Sequence, residues 1–335
     1  MKYKINYLMA LGTLLCLSAH DSFAQNTRKY ATEIYGKVIQ LTTANMPKKL
    51  TIVTPDFFNQ QAHHTYINEN GNYRLRFQKY YEGMVFLKYR SHTQSIYVRP
   101  GEKLQVNLTP ISNKKNLVEF LGESPSINLN QTIAQWKNYQ TRSTPYNKWM
   151  RDLNFAQLQD SVTRYTRAEL KRLQQFCLNS QCSGEFLQWA RTSILYTEAH
   201  QLMRFRWYQP VANNKSPLKV IPKGYNYSFT YKFTMNQLRA LKTLPYCRYI
   251  HEHNQHWRYI AYSKKILDSK KIDREKELNW IVKNTEQGLA RDLMLAENYG
   301  ALVQAGDQAL IKKLTPLFLK HVQLVPARDY IKELN

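Results

Sequence analysis

The clearest pattern in the chain is an alternation of hydrophobic and polar positions that follows the dipeptide Asn70-Gly71. In residues 73–77, Tyr-Arg-Leu-Arg-Phe, the hydrophobic side chains would face one side of a strand and the arginines the other. Asn-Gly accommodates the positive φ angles of a tight turn, so we predict a hairpin at this point.

The same period of two recurs in short segments up to residue 121. They are residues 34–39, 50–53, 85–89, 96–98, 104–108 and 117–121, with a Pro100-Gly101 turn before the fifth. With the segments that flank Asn70-Gly71, they make about eight short strands at the spacing of a sandwich. We therefore predict a small antiparallel β-sandwich over residues 25–123.

From about residue 126 the hydrophobic positions follow the period of a helix. Positions 158, 162, 165 and 176 fall near one helical face, as do positions 186, 190, 194 and 202. Further helices are predicted over residues 235–244, 246–268, 273–304 and 309–322. The predicted fold class is α+β, in which an N-terminal antiparallel β-sandwich is followed by an α-helical domain over residues 124–335.

The first 24 residues have the composition of a secretory signal peptide. Lys2 and Lys4 precede a short apolar run, and Ala24 provides the small residue at the predicted cleavage site. Cys16 suggests a lipoprotein, but Leu15 stands where a small residue would be required. We expect an exported protein of the periplasm or outer cell envelope, soluble after the signal peptide is cleaved.

The chain is strongly basic, with a formal net charge of +24. A charge of this size would speed its encounter with an anionic envelope surface or an acidic polymer, although it also serves solubility alone. The basic residues are spread along the chain, and the sequence contains no nucleic-acid-binding motif. We therefore expect no nucleic-acid partner.

Several segments together resemble a known family. They are GKVIQ at 36–40, ENGNYRLRF at 69–77, IYVRPGEKLQVNL at 96–108, VEFLGESPSINLNQTI at 118–133 and PYCRYIHEHNQHWRYIAYSKKIL at 245–267. The chain is similar to the N-terminal domain of unknown function and the helical region of TlpA/ResA-like thiol-disulfide oxidoreductases of Bacteroidetes. In that family a thioredoxin-like domain follows, and it would begin about where this chain ends, at Asn335.

The resemblance implies a function without redox chemistry of its own. The C-x-x-C motif that does the family's redox work does not occur here, so no catalytic residue is transferred and no cofactor is expected. We expect a non-catalytic envelope protein that binds or positions a partner or ligand, either an envelope protein or a glycan. The alternative is the scaffold half of a split thiol-disulfide oxidoreductase system acting with a separate thioredoxin-like chain.

Two cysteines in the segment CLNSQC, Cys177 and Cys182, are candidates for a disulfide. Cys177 would lie at the end of a helix, where the helix dipole disfavours a thiolate, and Cys182 would precede the N-cap of the next helix. In an oxidising compartment a bridge here would join two helices. Unpaired thiols, an active redox pair and a Cys182–Cys247 bridge are the alternatives.

The histidines of the segment HEHNQHW do not form a convincing metal site. On a helix His253 and His256 share a face but His251 points nearly opposite, and Glu252 with His256 would be the better pair. The neighbours His63 and His64 would face opposite sides of a strand. We expect no metal.

The segment YNYSFTYKF alternates aromatic and polar residues at the spacing of an extended chain. Its aromatic residues are Tyr225, Tyr227, Phe229, Tyr231 and Phe233. Exposed beside lysines, they would form a platform for sugar rings or a peptide strand. The alternative, which we favour, is that the segment packs onto the helices and closes their core, and Phe205, Trp207 and Tyr208 fit either surface.

Overall fold

The computed structural model describes residues 30–39, 49–56, 59–112, 115–140, 144–217, 219–263 and 273–335. The predicted signal peptide lies outside these residues. Among the residues described, no helix is both long and apolar enough to cross a membrane.

The first part of the structure is a β-sandwich of two four-stranded sheets. Its strands are β1 (Tyr30–Lys37), β2 (Lys49–Asp56), β3 (Asn59–Tyr66), β4 (Asn72–Lys79), β5 (Gly83–Tyr89), β6 (His92–Val98), β7 (Lys103–Ser112) and β8 (Lys115–Leu121). One sheet has the order β4-β1-β7-β8 and the other β3-β2-β5-β6. All pairs are antiparallel except β1 with β7, which is parallel and which the sequence did not predict.

The predicted alternation places the hydrophobic residues between the sheets. In β4, Tyr73, Leu75 and Phe77 are buried while the arginines between them are exposed. The β1 and β7 backbones approach each other so closely that a Cβ at Gly36 would lie 1.9 Å from the carbonyl oxygen of Val106. The same oxygen accepts a hydrogen bond of 2.6 Å from the Tyr73 hydroxyl.

The turn at Asn70-Gly71 is not the predicted hairpin. Gly71 has a φ of 81°, whereas Asn70 is not among the residues with positive φ. The side chain of Asn68 accepts hydrogen bonds from the backbone N–H groups of Asn70 and Asn72 and so shapes the turn. Strand β3 pairs with β2, and β4 pairs with β1, so the turn carries the chain from one sheet to the other.

The second part of the structure is helical, which confirms the α+β fold class. The helices are α1 (Ile127–Tyr139), α2 (Tyr146–Asp152), α3 (Phe155–Ser180), α4 (Gly184–Ala212), α5 (Leu244–Ser263), α6 (Arg274–Asn284), α7 (Leu289–Gln304), α8 (Gln308–His321) and α9 (Val325–Leu334). The predicted faces of α3 and α4 are correct: Leu158, Val162, Phe186 and Ala190 are buried.

Two predicted helices differ from the structure. Residues 235–244 form a loop with a short 3-10 helix at Leu238–Ala240, followed by the start of α5. The helix predicted over residues 273–304 is two helices, because the chain is extended at Thr285 and α7 begins after Gly288. The backbone N–H of Ala290 there donates to the side-chain oxygen of Asn236, at 3.0 Å.

The two parts are joined at strand β6, which is an edge of its sheet. The side-chain oxygen of Asn130 on α1 accepts from the backbone N–H of Tyr97 at 2.7 Å, and its amide nitrogen donates to the Tyr97 carbonyl at 2.8 Å. Asn130 is only 2% exposed. Its side chain thus takes the place of a neighbouring strand and satisfies backbone groups that a buried edge would leave unpaired.

A buried carboxylate fixes the connection between the last strand and α1. Glu102 accepts hydrogen bonds from Ser124, from the hydroxyl and backbone N–H of Ser126, and from the backbone N–H of Arg99. The guanidinium of Arg99 pairs with Glu185 in the first turn of α4, with an Nη2–Oε1 distance of 2.7 Å. These contacts orient both α1 and α4 relative to the sandwich.

We expect Asn130→Ala to lower the free energy of unfolding by about 3 kcal/mol, because it leaves two buried backbone groups of Tyr97 without partners. Urea unfolding followed by tryptophan fluorescence measures the change. Asn128→Ala, an exposed position on the same helix, is the matched control and should change stability little. Equal effects of the two substitutions would contradict this account of the junction.

Candidate ligand-binding cleft between two long helices

A cleft of about 450 Å³ lies between α4 and α5. Its lining residues recur at helical spacing on both helices, so each helix presents one face to the cavity. Those of α4 are Arg204, Trp207, Tyr208 and Val211, and those of α5 are Glu252, Gln255, Arg258, Tyr259 and Tyr262.

The walls of the cleft are aromatic. The rings of Trp207 and Tyr259 meet edge to face across the two helices, with centroids 5.4 Å apart. The Arg204 guanidinium lies 4.6 Å from the ring centroid of Tyr208. Such contacts hold the rings in defined orientations.

A buried arginine supports these walls from behind. Arg206 is 1% exposed, and its guanidinium lies 4.1 Å from the centroid of Tyr259 and 4.9 Å from that of Trp207. Its Nη1 donates to the carbonyls of Pro217 and Val220 at 2.9 and 3.0 Å. Arg206 therefore ties the loop after α4 to the aromatic wall.

The far end of the cleft is anchored by a carboxylate of α6. Glu277 accepts a 3.2 Å hydrogen bond from the hydroxyl of Tyr262, and its Oε1 lies 3.5 Å from Nε of Arg258. Arg274 completes the group at 2.8 Å. Because the buried Glu277 accepts hydrogen bonds from Tyr262 and Arg274 and forms an ion pair with Arg258, the Tyr262 ring and the Arg258 side chain are held in place.

Glu252 of the cleft and the neighbouring His200 have shifted pKa values. Burial raises the pKa of Glu252, while the charges of His251 and Arg204 oppose the shift. Burial, together with the nearby Arg248 and Arg204, lowers the pKa of His200 to about 3. The His200 Nε2 lies 3.9 Å from the Glu252 carboxylate, which is too far for a hydrogen bond.

The predicted aromatic segment is not extended and does not form a platform. Residues Ser228–Lys232 are a 3-10 helix, which turns the aromatic side chains inward. Phe229 is buried, and Tyr225, Tyr227 and Phe233 pack against the helical core. Only Tyr231, at 94% exposure, points away from it among the five. The alternative of a core-closing segment is therefore correct for four of the five residues.

This segment meets the histidine segment of α5. The Nε1 of Trp257 donates to Nε2 of His253 at 2.8 Å, and Nδ1 of His253 is hydrogen-bonded to the Tyr227 hydroxyl. The Tyr227 ring stacks on His256 with centroids 4.3 Å apart. Because the indole N–H can only donate, Nε2 must be unprotonated, and the proton of neutral His253 lies on Nδ1.

The remaining histidines have separate partners. His251 lies 2.8 Å from Glu297, and this pairing outweighs burial and raises its pKa. His64 bonds the Thr51 hydroxyl at 2.9 Å, while His63 lies on the other face of β3 against Phe77. Within the described part of the chain, no group of three His, Cys, Asp or Glu residues could hold a metal ion.

The proposed pair of Glu252 with His256 does not form. Glu252 lines the cleft, whereas His256 is stacked against Tyr227. The two side chains therefore have different contacts, although they lie one turn apart on α5.

The sulfurs of Cys177 and Cys182 lie at disulfide distance, with Cα atoms 4.9 Å apart. Helix α3 ends at Ser180, and the Ser183 side chain accepts from the backbone N–H of Phe186 at the start of α4, as predicted. Cys247 is buried and its thiol donates to the Leu241 carbonyl, so the Cys182–Cys247 alternative is not formed.

Sequence reasoning identified only part of the cleft. The sequence indicates Trp207 and Tyr208 as surface candidates, but it associates them with the segment after residue 224 and not with α5. The missed signal is the spacing of Glu252, Tyr259 and Tyr262, which places them on one helical face.

Comparisons of this chain with protein-family models, curated proteins and solved structures find no match.

We expect stability to fall between pH 7.5 and pH 5.0 because His253 is buried neutral. Burial and His256 lower its folded-state pKa to about 3, below the value of about 6.5 expected in the unfolded chain. The unfolded chain therefore takes up the proton first, so the stability present above about pH 6.5 is lost as pH falls towards 3. At pH 5.0 this one group should account for about 2 kcal/mol.

Urea unfolding at the two pH values measures this loss in the wild type and in His253→Phe. The variant should lose about 2 kcal/mol less between pH 7.5 and 5.0, whatever its stability at pH 7.5. His64→Gln, an exposed position on β3, should keep the full loss. An unchanged pH dependence in His253→Phe would show that His253 is protonated in the folded protein.

We expect the double substitution Cys177→Ala with Cys182→Ala to lower the free energy of unfolding by about 2 kcal/mol, the contribution of closing so short a loop. Denaturant unfolding under non-reducing conditions measures it. A reducing agent should destabilise the wild type equally and leave the double variant unchanged. Two thiols that label rapidly in the untreated protein would rule out a structural bridge.

Proposed function

We propose that this protein is an exported, non-catalytic envelope protein that binds a glycan in the cleft between α4 and α5. The signal-peptide pattern supports export to the cell envelope. The resemblance to the accessory region of TlpA-like proteins, which does not include the redox domain, supports a non-catalytic role. The alternative is that the protein is the scaffold half of a split thiol-disulfide system.

The observation that supports this proposal is the combination of four aromatic rings with charged and amide side chains in one cavity. Trp207, Tyr208, Tyr259 and Tyr262 line it together with Arg204, Glu252 and Gln255. A sugar ring has an apolar C–H face that packs on aromatic rings and a rim of hydroxyl groups that bond polar side chains. Mostly apolar pockets with a few placed polar groups are typical ligand sites.

The cleft is also preorganised. Arg206 holds the Trp207 and Tyr259 rings from behind, and Glu277 holds Tyr262 and Arg258. Side chains that are already fixed lose little conformational entropy when a ligand binds. The rings are therefore suited to provide contact area in a ligand complex.

We expect Tyr208→Ala and Trp207→Ala each to weaken glycan binding by about tenfold or more, since aromatic residues at the centre of a site are where truncation costs most. A panel of immobilised neutral and acidic oligosaccharides identifies a ligand, and isothermal titration calorimetry then measures the affinities. Circular dichroism confirms that each variant is folded.

The matched control is Tyr231→Ala, which removes an exposed aromatic ring outside the cleft. It should bind like the wild type. Binding by Tyr208→Ala and Trp207→Ala that equals that of Tyr231→Ala would place the ligand elsewhere. A wild-type protein that binds no member of the panel would overturn the proposal.

A further inference from the structure

A second cavity, of about 430 Å³, lies where the sandwich meets α4 and α5. Pro55 of β2 and Phe86 of β5 form its sandwich side. On the helical side, His200 and Arg204 of α4 face Arg248 and Glu252 of α5, the two members of each pair lying one turn apart. Leu244, Cys247 and His251 complete the lining.

The cavity contains two guanidinium groups and one carboxylate. Within the described residues, neither Arg204 nor Arg248 forms an ion pair with a carboxylate. Partial desolvation, and next the charge of Arg204, lowers the pKa of Arg248, although Arg248 is an exposed residue. Holding two like charges together is unfavourable unless an opposite charge joins them.

The other ionisable groups of the cavity do not cancel this charge. Burial raises the pKa of Glu252, and the charges of His251 and then Arg204 oppose that shift. His251 is paired with Glu297, Cys247 donates to a backbone carbonyl, and His200 is buried and neutral at pH 7. Arg248 is therefore an exposed guanidinium without a carboxylate partner among the described residues.

We propose that Arg204 and Arg248 form an oxoanion site, which binds the carboxylate or sulfate of an acidic glycan. The guanidinium is a planar fork of donors that matches two oxygens of a carboxylate, sulfate or phosphate. This inference rests on the proposed function, because it takes the oxoanion to be a substituent of the sugar in the cleft.

The connection between the two cavities supports this assignment. Arg204 and Glu252 line both of them. A sugar ring on Tyr208 would therefore place a charged substituent beside Arg204, from where it can reach Arg248. Glu252 on the same boundary can accept hydrogen bonds from sugar hydroxyls.

The test compares an acidic oligosaccharide with its neutral partner at fixed ionic strength, since a strongly basic protein attracts any anion at low salt. The probes are a galacturonate trisaccharide and its methyl ester, and a sulfated disaccharide with its desulfated form. We expect the wild type to bind each acidic form at least tenfold more tightly. Arg248→Gln should bring the acidic form to the affinity of the neutral form without weakening the neutral form.

Two control variants separate this site from other effects. Arg239→Gln removes an exposed arginine from the 3-10 helix at Leu238–Ala240 and should retain the preference for acidic forms. Trp207→Ala, which removes a cleft ring that contacts Tyr259 and Arg206, should weaken binding of both forms and preserve their ratio. Equal loss of the preference in Arg239→Gln and Arg248→Gln would show that net charge is responsible and would overturn the site.

The outcomes distinguish this inference from the proposed function. Equal binding of acidic and neutral forms by the wild type overturns the oxoanion site and leaves glycan binding intact. If no oligosaccharide binds, the oxoanion site is tested with inorganic sulfate alone, by its effect on the melting temperature. A rise in melting temperature with sulfate in the wild type, absent in Arg248→Gln, supports the oxoanion site without the glycan, and no rise overturns both proposals.

Discussion

The hydrogen bonds between the Asn130 side chain and the backbone of Tyr97 are the constraint on which the arrangement of the two domains depends. Strand β6 is a sheet edge that the helical domain covers, and its backbone groups lose water on folding. An apolar side chain at position 130 could provide packing but no partner for them. Glu102, at the start of β7, has a similar role. Its buried carboxylate accepts hydrogen bonds from the backbone N–H and the hydroxyl of Ser126, which precedes α1.

Once α1 is fixed on β6, the positions of the long helices follow. The side chain of Tyr97 packs in one cluster with Trp136 of α1, Phe176 of α3 and Phe186 of α4. The Cys177–Cys182 bridge lies at the edge of this cluster and closes the turn between α3 and α4, so it reinforces a hairpin that packing already defines. The cleft is formed further along α4, beyond the reach of this cluster, and there Arg206 provides the local support.

The sequence predicted the strands well because their signal is local. Alternation within residues 73–77 is enough to identify a half-buried strand, but it does not say which strand lies beside it. The parallel pairing of β1 with β7 and the placement of β3 and β4 in different sheets are set by long-range packing. In the aromatic segment the local signal is misleading. Alternation in residues 225–233 is compatible with an extended chain, but the segment contains a 3-10 helix and most of its rings pack against the helical core.

The cleft could be predicted only in part because its two faces come from helices that are about 30 residues apart in the sequence. The position of the second cavity depends in addition on the sandwich, because Pro55 and Phe86 line it, and Lys242, just before α5, lies 4.0 Å from Glu82, just before β5. Net charge gives no information of this kind: the +24 of the chain is dispersed, and by itself it only speeds encounters with anions. The two long helices, by contrast, place Arg204 and Arg248 in the lining of one cavity, and it is such placement of charges, not their total, that can give specificity.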